Sequence, residues 1–175
     1  DYLFVPPQDE MLRGKPEEQS KIRVPRIAEI LCGKSRPGHF EGVASIVSQL
    51  LNIVNPTRAY FGLKDYQQFI LIKKLVSDLK IPVTVIGVET VRDKNGLALS
   101  SRNNFFSAQE LDIAPQLFTS IKEVYTALQA VNRNFKLLEN NARKRLLNFG
   151  FQPDYCSVCH AETLKPAAPD DNDMV

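Results

Sequence analysis

The run Phe61-Gly62-Leu63-Lys64-Asp65-Tyr66-Gln67-Gln68 sets a small residue, a cation and a carboxylate within four positions. A glycine at a strand end lets a ligand approach the backbone, a lysine offers a phosphate a point charge, and an aspartate accepts from a ribose hydroxyl. A solvated turn with Asp65 capping the next helix accounts for the same residues equally well. A second group, Leu97-Ala98-Leu99-Ser100-Ser101-Arg102-Asn103, supplies two hydroxyls and a guanidinium after a glycine-containing turn, a set suited to polyphosphate oxygens. By itself it is indistinguishable from a surface loop. A third, Arg36-Pro37-Gly38-His39-Phe40-Glu41-Gly42, opens a long helix whose N-terminus favours anions. His39 beside Arg36 suits a carboxylate or phosphate there, against the plainer reading of a structural hydrogen-bond partner.

Cys156-Ser157-Val158-Cys159-His160 matches a c-type haem attachment site and half of a zinc site. Read as a strand, it points residues three apart to opposite faces, so the thiols do not converge on one metal or porphyrin. Cys32 is the one remaining thiol to complete a zinc set, and no export signal supports haem attachment. The cysteines are expected to pack.

The elements that position these groups follow from periodicity. Tyr2 to Val5 reads as a short strand before an irregular loop with Pro6, Pro7 and Pro16, and Pro25 to Leu31 as a short helix. Gly33 to His39 reads as loop. Val43, Ile46, Val47, Leu50, Leu51 and Val54 form an amphipathic stripe that Asn55-Pro56 ends. Arg58 to Phe61 is a strand, Phe69, Ile72, Val76 and Leu79 share a helix face, and Val83 to Val88 is the next strand. Strand, helix and strand with connections this short make a parallel βαβ unit, with ligands beyond the strands' carboxyl ends. Lys64 and the Ser100 to Arg102 loop fall on that rim, which favours a nucleoside triphosphate site over the surface-loop reading.

Past Arg92 the texture changes, which sets domains of 1–92 and 93–175. Asp93-Lys94-Asn95-Gly96 is a turn, and Ser107 with Glu110 is a capping box. The helix it starts carries Leu111, Phe118, Ile121, Tyr125 and Leu128 on one side and is expected to kink at Pro115. Another helix spans about Phe135 to Phe149, and Tyr155 to His160 reads as a strand.

A length of 175 residues, 43% hydrophobic and 24% charged, fits a globular chain of one or two domains. With a net charge of only +2, no sequence-wide field gathers nucleic acid or anionic lipid, so any anion is met locally. No apolar run reaches the ~20 residues that span a bilayer, and three cysteines suit a reducing compartment, so a cytoplasmic protein is expected. A start at Asp1 and an end at Met174-Val175 suggest an excerpt of a longer protein.

In this order and spacing, Arg36 to Gly42, Phe61 to Gln68, Val88-Glu89-Thr90-Val91-Arg92 and Gly96 to Asn103 resemble the pantothenate synthetase (pantoate-β-alanine ligase) family. The likeness extends through Pro153-Asp154-Tyr155 and Ala161-Glu162-Thr163-Leu164. It implies an α/β fold: part of a Rossmann-like nucleotidyltransferase domain related to class I synthetases, followed by a small α+β domain, in a homodimer. It further implies ATP-dependent condensation of pantoate with β-alanine, with magnesium, through pantoyl adenylate. Gly62, Leu63, Lys64, Asp65, Val91, Leu99, Ser100, Ser101 and Arg102 are then the ATP-binding residues, with Val91 meeting adenine through its backbone. Gln68 holds pantoate. Lys64, Ser100, Ser101, Arg102 and His39 form the catalytic set, and Arg36 and His39 line the cleft; no protein metal ligand comes from this chain.

Leu63 stands where an acidic residue is common in the family, Leu99 where Met is common and Cys32 where Glu is frequent. The paired-histidine H-x-G-H motif, the other pantoate-holding Gln and the β-alanine site have no counterpart here, nor does a final strand after Val175. The excerpt alone is therefore expected to be inactive. Two other classes stand beside this reading: a nucleotidyltransferase adenylating a mononucleotide, and a non-catalytic nucleotide-binding or dimerisation module. Gln68 and the Arg36 to Gly42 loop are superfluous for both.

Overall fold

The computed structural model describes residues 2–11 and 19–175, and the chain divides into two units, Asp1–Val88 and Glu89–Val175. Residues 2–7 are irregular, with Tyr2, Leu3 and Val5 largely exposed, so the expected Tyr2 to Val5 strand is absent. A strand needs a neighbour to take its ladder hydrogen bonds, and none pairs with these residues among those described. A short helix, α1, follows at Gln8–Met11. Pro16 lies outside the described residues.

The helix expected over Pro25 to Leu31 is instead a 3-10 turn, Ile27–Glu29, bounded by positive φ at Arg26 (68°) and Leu31 (47°). The expected Gly33 to His39 loop is partly helical: α2 spans Cys32–Ser35, and irregular backbone is confined to Arg36, Pro37 and Gly38. Helix α3, His39–Val54, ends at Asn55 in the left-handed region (φ 45°), a conformation asparagine tolerates better than most residues. Its buried residues are Phe40, Ala44, Ser48 and Leu51. Of the expected stripe only Leu51 is buried; α3 packs against α4, and Val54 stays half exposed.

Strand β1, Arg58–Gly62, pairs in parallel with β2, Thr84–Val88, in the register Arg58 to Thr84 through Gly62 to Val88. Between them runs α4, Tyr66–Asp78, giving the βαβ unit read from sequence. Its buried face is Gln67, Ile70, Leu71, Ile72, Leu75 and Val76, rotated from the expected one so that Leu79 lies outside the helix and half exposed. Leu71 and Ile72 are fully buried, and truncating either to alanine is expected to cost about 2–5 kcal/mol.

In the second unit, α5 (Ala108–Ile113) and α6 (Gln116–Gln129) replace the single kinked helix, with the break at Ala114-Pro115. Pro115 has no N–H for the α5 ladder, yet its fixed φ suits the residue before a new first turn. Ser107 caps α5 in a reciprocal capping box with Glu110. The anticipated apolar side of α6 is substantially exposed at Ile121 and Tyr125, and Ser120 is its buried residue. Helix α7, Phe135–Asn148, packs on α6 and stops before Gly150 (φ 86°), in the left-handed conformation that glycine adopts without strain. The expected Tyr155 to His160 strand is absent, and Pro153 to Tyr155 is likewise irregular. Isolated antiparallel bridges stand at Cys159–Pro166 and His160–Met174, and a third joins Arg92 to Ala98. Among the described residues, no helix is long and apolar enough to cross a membrane.

Candidate functional site

In the first unit the site is built on the carboxyl end of β1. Gly62 has ordinary extended dihedrals (φ −67°, ψ 130°), and a Cβ added there meets nothing within 4 Å. Open space at its Cα, not an unusual conformation, is what lets a ligand approach. Leu63–Asp65 forms one 3-10 turn leading into α4. The Leu63 side chain turns onto β2: a Cβ at Gly87 would stand 2.6 Å from Leu63 Cδ2 and 3.2 Å from Phe69 Cζ. Position 63 therefore packs through its side chain, whatever its backbone offers a ligand.

Lys64 Nζ lies 3.8 Å from Asp65 Oδ2, with the two side chains 38% and 62% exposed. Such a pair is worth at most about 1 kcal/mol in water, so the ammonium can turn to a stronger anion at little cost. Asp65 occupies the N-cap of α4, but its side chain accepts no amide proton there, so capping does not explain the carboxylate. Gln68 is half-buried and its side chain makes no hydrogen bond among the described residues.

Arg36 is exposed, its amide donating to Cys32 O at 3.0 Å as α2 ends. Gly38 (φ 77°) turns the chain into α3 and supplies no side-chain cap. His39, half-buried, opens that helix with its ring 5.0 Å from Phe40. These residues and Lys64 through Gln68 belong to the same unit.

Val91 and Leu99 through Arg102 belong to the second unit. Leu99 N–H donates to Val91 O and Asp93 N–H to Leu97 O, each at 2.9 Å, forming a hairpin whose tip passes through Gly96 (φ 95°). The Asp93 carboxylate accepts from the amides of Asn95 and Leu97, which sets the turn from within. The Val91 carbonyl is thus engaged, whereas its N–H donates to no described group. Ser100 Oγ accepts from Arg102 N–H at 3.2 Å and caps a 3-10 turn, Ser101–Phe105, that leaves Ser101 and Arg102 exposed. Asn103 Nδ2 donates to Ala98 O at 3.0 Å, tying the turn to the hairpin.

Two supports were missed in the sequence. Arg92 lays its guanidinium 3.7 Å from the centre of the Phe118 ring and donates to Gly96 O at 3.2 Å, fastening the hairpin to α6. Gln67 is 7% exposed on the apolar face of α4 and bonds to the 27–32 segment. A carboxamide four residues before Leu71 on a buried face must have partners, and that was the available signal.

Cys156 is half-buried and Cys159 buried; burial pushes both thiols above their ordinary range, opposed at Cys156 by the Arg143 guanidinium, while the Glu139 carboxylate adds to the effect at both. His160 Nδ1 accepts from the amides of Glu162 (3.2 Å) and Thr163 (3.4 Å), so that nitrogen is occupied by a turn. Among the described residues, no group of three or more His, Cys, Asp or Glu side chains could hold a metal ion.

A parallel βαβ unit, followed by a unit of nearly equal length whose regular elements are helices, defines a Rossmann-like fold of nucleotidyltransferase type. The family model of pantoate-beta-alanine ligase matches residues 1–175, and the chain belongs to that family. It is 47% identical over 174 residues to the pantothenate synthetase of Saccharophagus degradans, covering 99% of this chain and 61% of that protein. Over 175 residues it is 47% identical to the pantothenate synthetase of Alkalilimnicola ehrlichii, again covering 61% of the relative. The crystal structure of the Thermus thermophilus enzyme superposes with a TM-score of 0.87 at 38% identity, over 95% of this chain and 60% of that one. A pantoate-beta-alanine ligase from Francisella tularensis, complexed with beta-gamma ATP and beta-alanine, superposes at 0.58 with 38% identity, over 73% of this chain and 47% of that one. The chain thus spans about three fifths of the relatives' length.

Proposed function

We propose that the protein carrying this chain condenses pantoate with β-alanine, using ATP, to give pantothenate, AMP and pyrophosphate. The observation that carries this reading is the Gly62 to Gln68 turn: an open glycine, a weakly paired ammonium and an uncommitted carboxamide follow in order at the end of a parallel strand. The Francisella relative, with its nucleotide and β-alanine, supports the same substrates here.

The chemistry proceeds in two balanced steps. A pantoate carboxylate oxygen attacks the α-phosphorus of ATP, forming the acyl phosphate and expelling pyrophosphate. The β-alanine amine then attacks the acyl carbon, losing a proton as AMP departs. Two anions must meet in the first step, so a cation that stabilises the charge gathering on the leaving phosphates lowers the barrier. Lys64 and Arg102 have that role, and Ser100 and Ser101 offer hydroxyls to phosphate oxygens. Ser100 can do so while capping its turn, because a hydroxyl that accepts one bond still has its proton to donate. The Val91 N–H, which donates to no described group, donates to an adenine acceptor, Gly62 through Asp65 and Leu99 complete the nucleotide contacts, and Gln68 holds pantoate. Arg36 and His39 order phosphates or the pantoate carboxylate. Magnesium favours phosphate oxygens and keeps several waters, so it enters with the triphosphate and not through a protein cage. The homodimer and the cytoplasmic setting are part of the same proposal.

The test is pyrophosphate release from the full-length protein with ATP and magnesium, with and without pantoate. Pantoate-dependent release followed by β-alanine-dependent AMP is the expected outcome. Release with a mononucleotide in place of pantoate, or none with either, would replace this reading by the mononucleotide transferase or the binding module respectively.

A further inference from the structure

Gln67 donates through Nε2 to the carbonyls of Ile27 (2.7 Å) and Ile30 (2.8 Å) and accepts at Oε1 from the Cys32 amide (3.1 Å). Both donors and the acceptor of one buried carboxamide are thereby used on a single stretch of backbone. That stretch is costly to hold. Arg26, just before it, and Leu31, within it, stand at φ 68° and 47°, strained conformations that non-glycine residues hold only where their surroundings fix them. Gly33 closes beneath it, since a Cβ at 33 would stand 2.1 Å from Ala28 O. The chain leaves this clamp through α2 directly into Arg36, Gly38 and His39. On the other side, Gln67 lies two residues after Asp65, three after Lys64 and next to Gln68.

We propose that Gln67 is a positioning residue, through which the first turn of α4 fixes the Arg36 to His39 loop in register with the Lys64 to Gln68 turn. This rests on the ligase reading above. The two neighbouring glutamines have opposite duties: Gln68 makes no side-chain hydrogen bond among the described residues and can meet substrate, and Gln67 spends both donors and one acceptor site of its carboxamide on backbone. Misplacing a substrate-orienting group by about 1 Å can cost a hundredfold in rate, so a clamp beneath the loop has kinetic consequences beyond its contribution to folding.

The test compares Gln67→Met, which keeps the length and loses the hydrogen bonds, with Ile70→Val, a core change on the same helix. Both are made in the full-length protein. Gln67→Met is expected to lower the single-turnover rate of pantoyl-adenylate formation by ten- to a hundredfold at saturating substrates while the ATP dissociation constant changes less than threefold. Ile70→Val should keep the parent rate once its folded fraction is matched. Should Gln67→Met fail to fold, Gln67→Asn, which shortens the clamp by one methylene, carries the same comparison. A folded Gln67 variant with the parent rate, or a loss that follows folded fraction alone, overturns the proposal. A parent that releases no pantoate-dependent pyrophosphate sinks the ligase reading instead. The positioning claim is then judged by hydrogen exchange at the Cys32 amide, where at least a tenfold acceleration in Gln67→Met sustains it and an unchanged rate refutes it.

Discussion

Replacing Gly33 by alanine tests the packing beneath the Arg36 to His39 loop. The added Cβ would stand 2.1 Å from Ala28 O, 2.6 Å from Ala28 C and 3.3 Å from Phe40 Cδ2. Carbon–oxygen contacts begin near 3.3 Å, so the carbonyl must retreat by about 1.2 Å. The obstacle is backbone, and no rotamer change relieves it. On either side, Ile27 O and Ile30 O are held by Gln67 at 2.7 and 2.8 Å, so a retreat of that size breaks at least one of these bonds. A buried polar group left unpaired costs about 1–3 kcal/mol and overpacking a further ~1–3, which puts the expected loss at ~4 kcal/mol. Gly42→Ala is the matched control. Gly42 sits in α3 at ordinary φ with nothing within 4 Å of a Cβ, so it should gain about 0.5–1 kcal/mol from the unfolded chain's lost freedom. Urea unfolding of the full-length protein, with midpoint and slope fitted for each variant, reads both. A Gly33→Ala protein within about 0.5 kcal/mol of the parent, the scatter of neutral surface changes, would show that the turn yields and that the clash is not real.

Lys64→Ala should lower pantoyl-adenylate formation by two to three orders of magnitude, the usual scale for a lost transition-state charge partner, with little change in stability; pyrophosphate release near the parent rate would remove Lys64 from the site. Burial favours the neutral thiols of Cys156 and Cys159. Their alkylation should therefore be slower than in the urea-unfolded chain and quicken only as pH passes the ordinary thiol range, and equal rates at pH 8 would count against it. The Ser107 amide, then its hydroxyl, hold the Glu110 carboxyl below its usual range. Because the folded-state value is the lower one, the capping box contributes fully above the unfolded carboxylate's pKa and is lost as pH falls through the folded value. Glu110→Gln, which removes the titrating carboxylate, should flatten this part of the stability–pH curve, and an unchanged curve would show that the pair contributes nothing. Arg92→Met should cost about 1–2 kcal/mol, as expected for a partly desolvated cation–π contact, and raise the KM for ATP through the loosened hairpin; a KM at the parent value would separate that hairpin from the nucleotide.

What the sequence disclosed followed the strength of the local signal. The βαβ unit was legible because the β-favouring aromatic pair Tyr60-Phe61 and the β-branched run at 83–88 bracket a helical period, and the capping box because Ser107 and Glu110 fix both its partners in sequence. The strands expected at Tyr2 to Val5 and Tyr155 to His160 have the right residue types, but a strand is completed by its neighbour, and residue type does not reveal whether one pairs. The stripe on α3 failed differently: periodicity locates the face of large apolar residues, whereas the buried positions include the small residues Ala44 and Ser48, which such a pattern passes over.

The candidate site shows the same division between neighbouring residues. Gln67 and Gln68 are chemically identical and adjacent, so composition and motif treat them alike. A helix turns about 100° per residue, which carries one carboxamide onto the buried face among Ile70, Leu71 and Leu75 and leaves the next half-buried and uncommitted. Burial alone obliges Gln67 to find partners, and those it finds are the carbonyls and amide of a segment entered through positive φ at Arg26 and turned again by positive φ at Leu31. The residues suited to bind substrate are those whose polar groups the fold leaves unspent. The residues that hold them in place are those whose polar groups it has used up, and distinguishing the two requires the hydrogen-bond partners as well as the residue types.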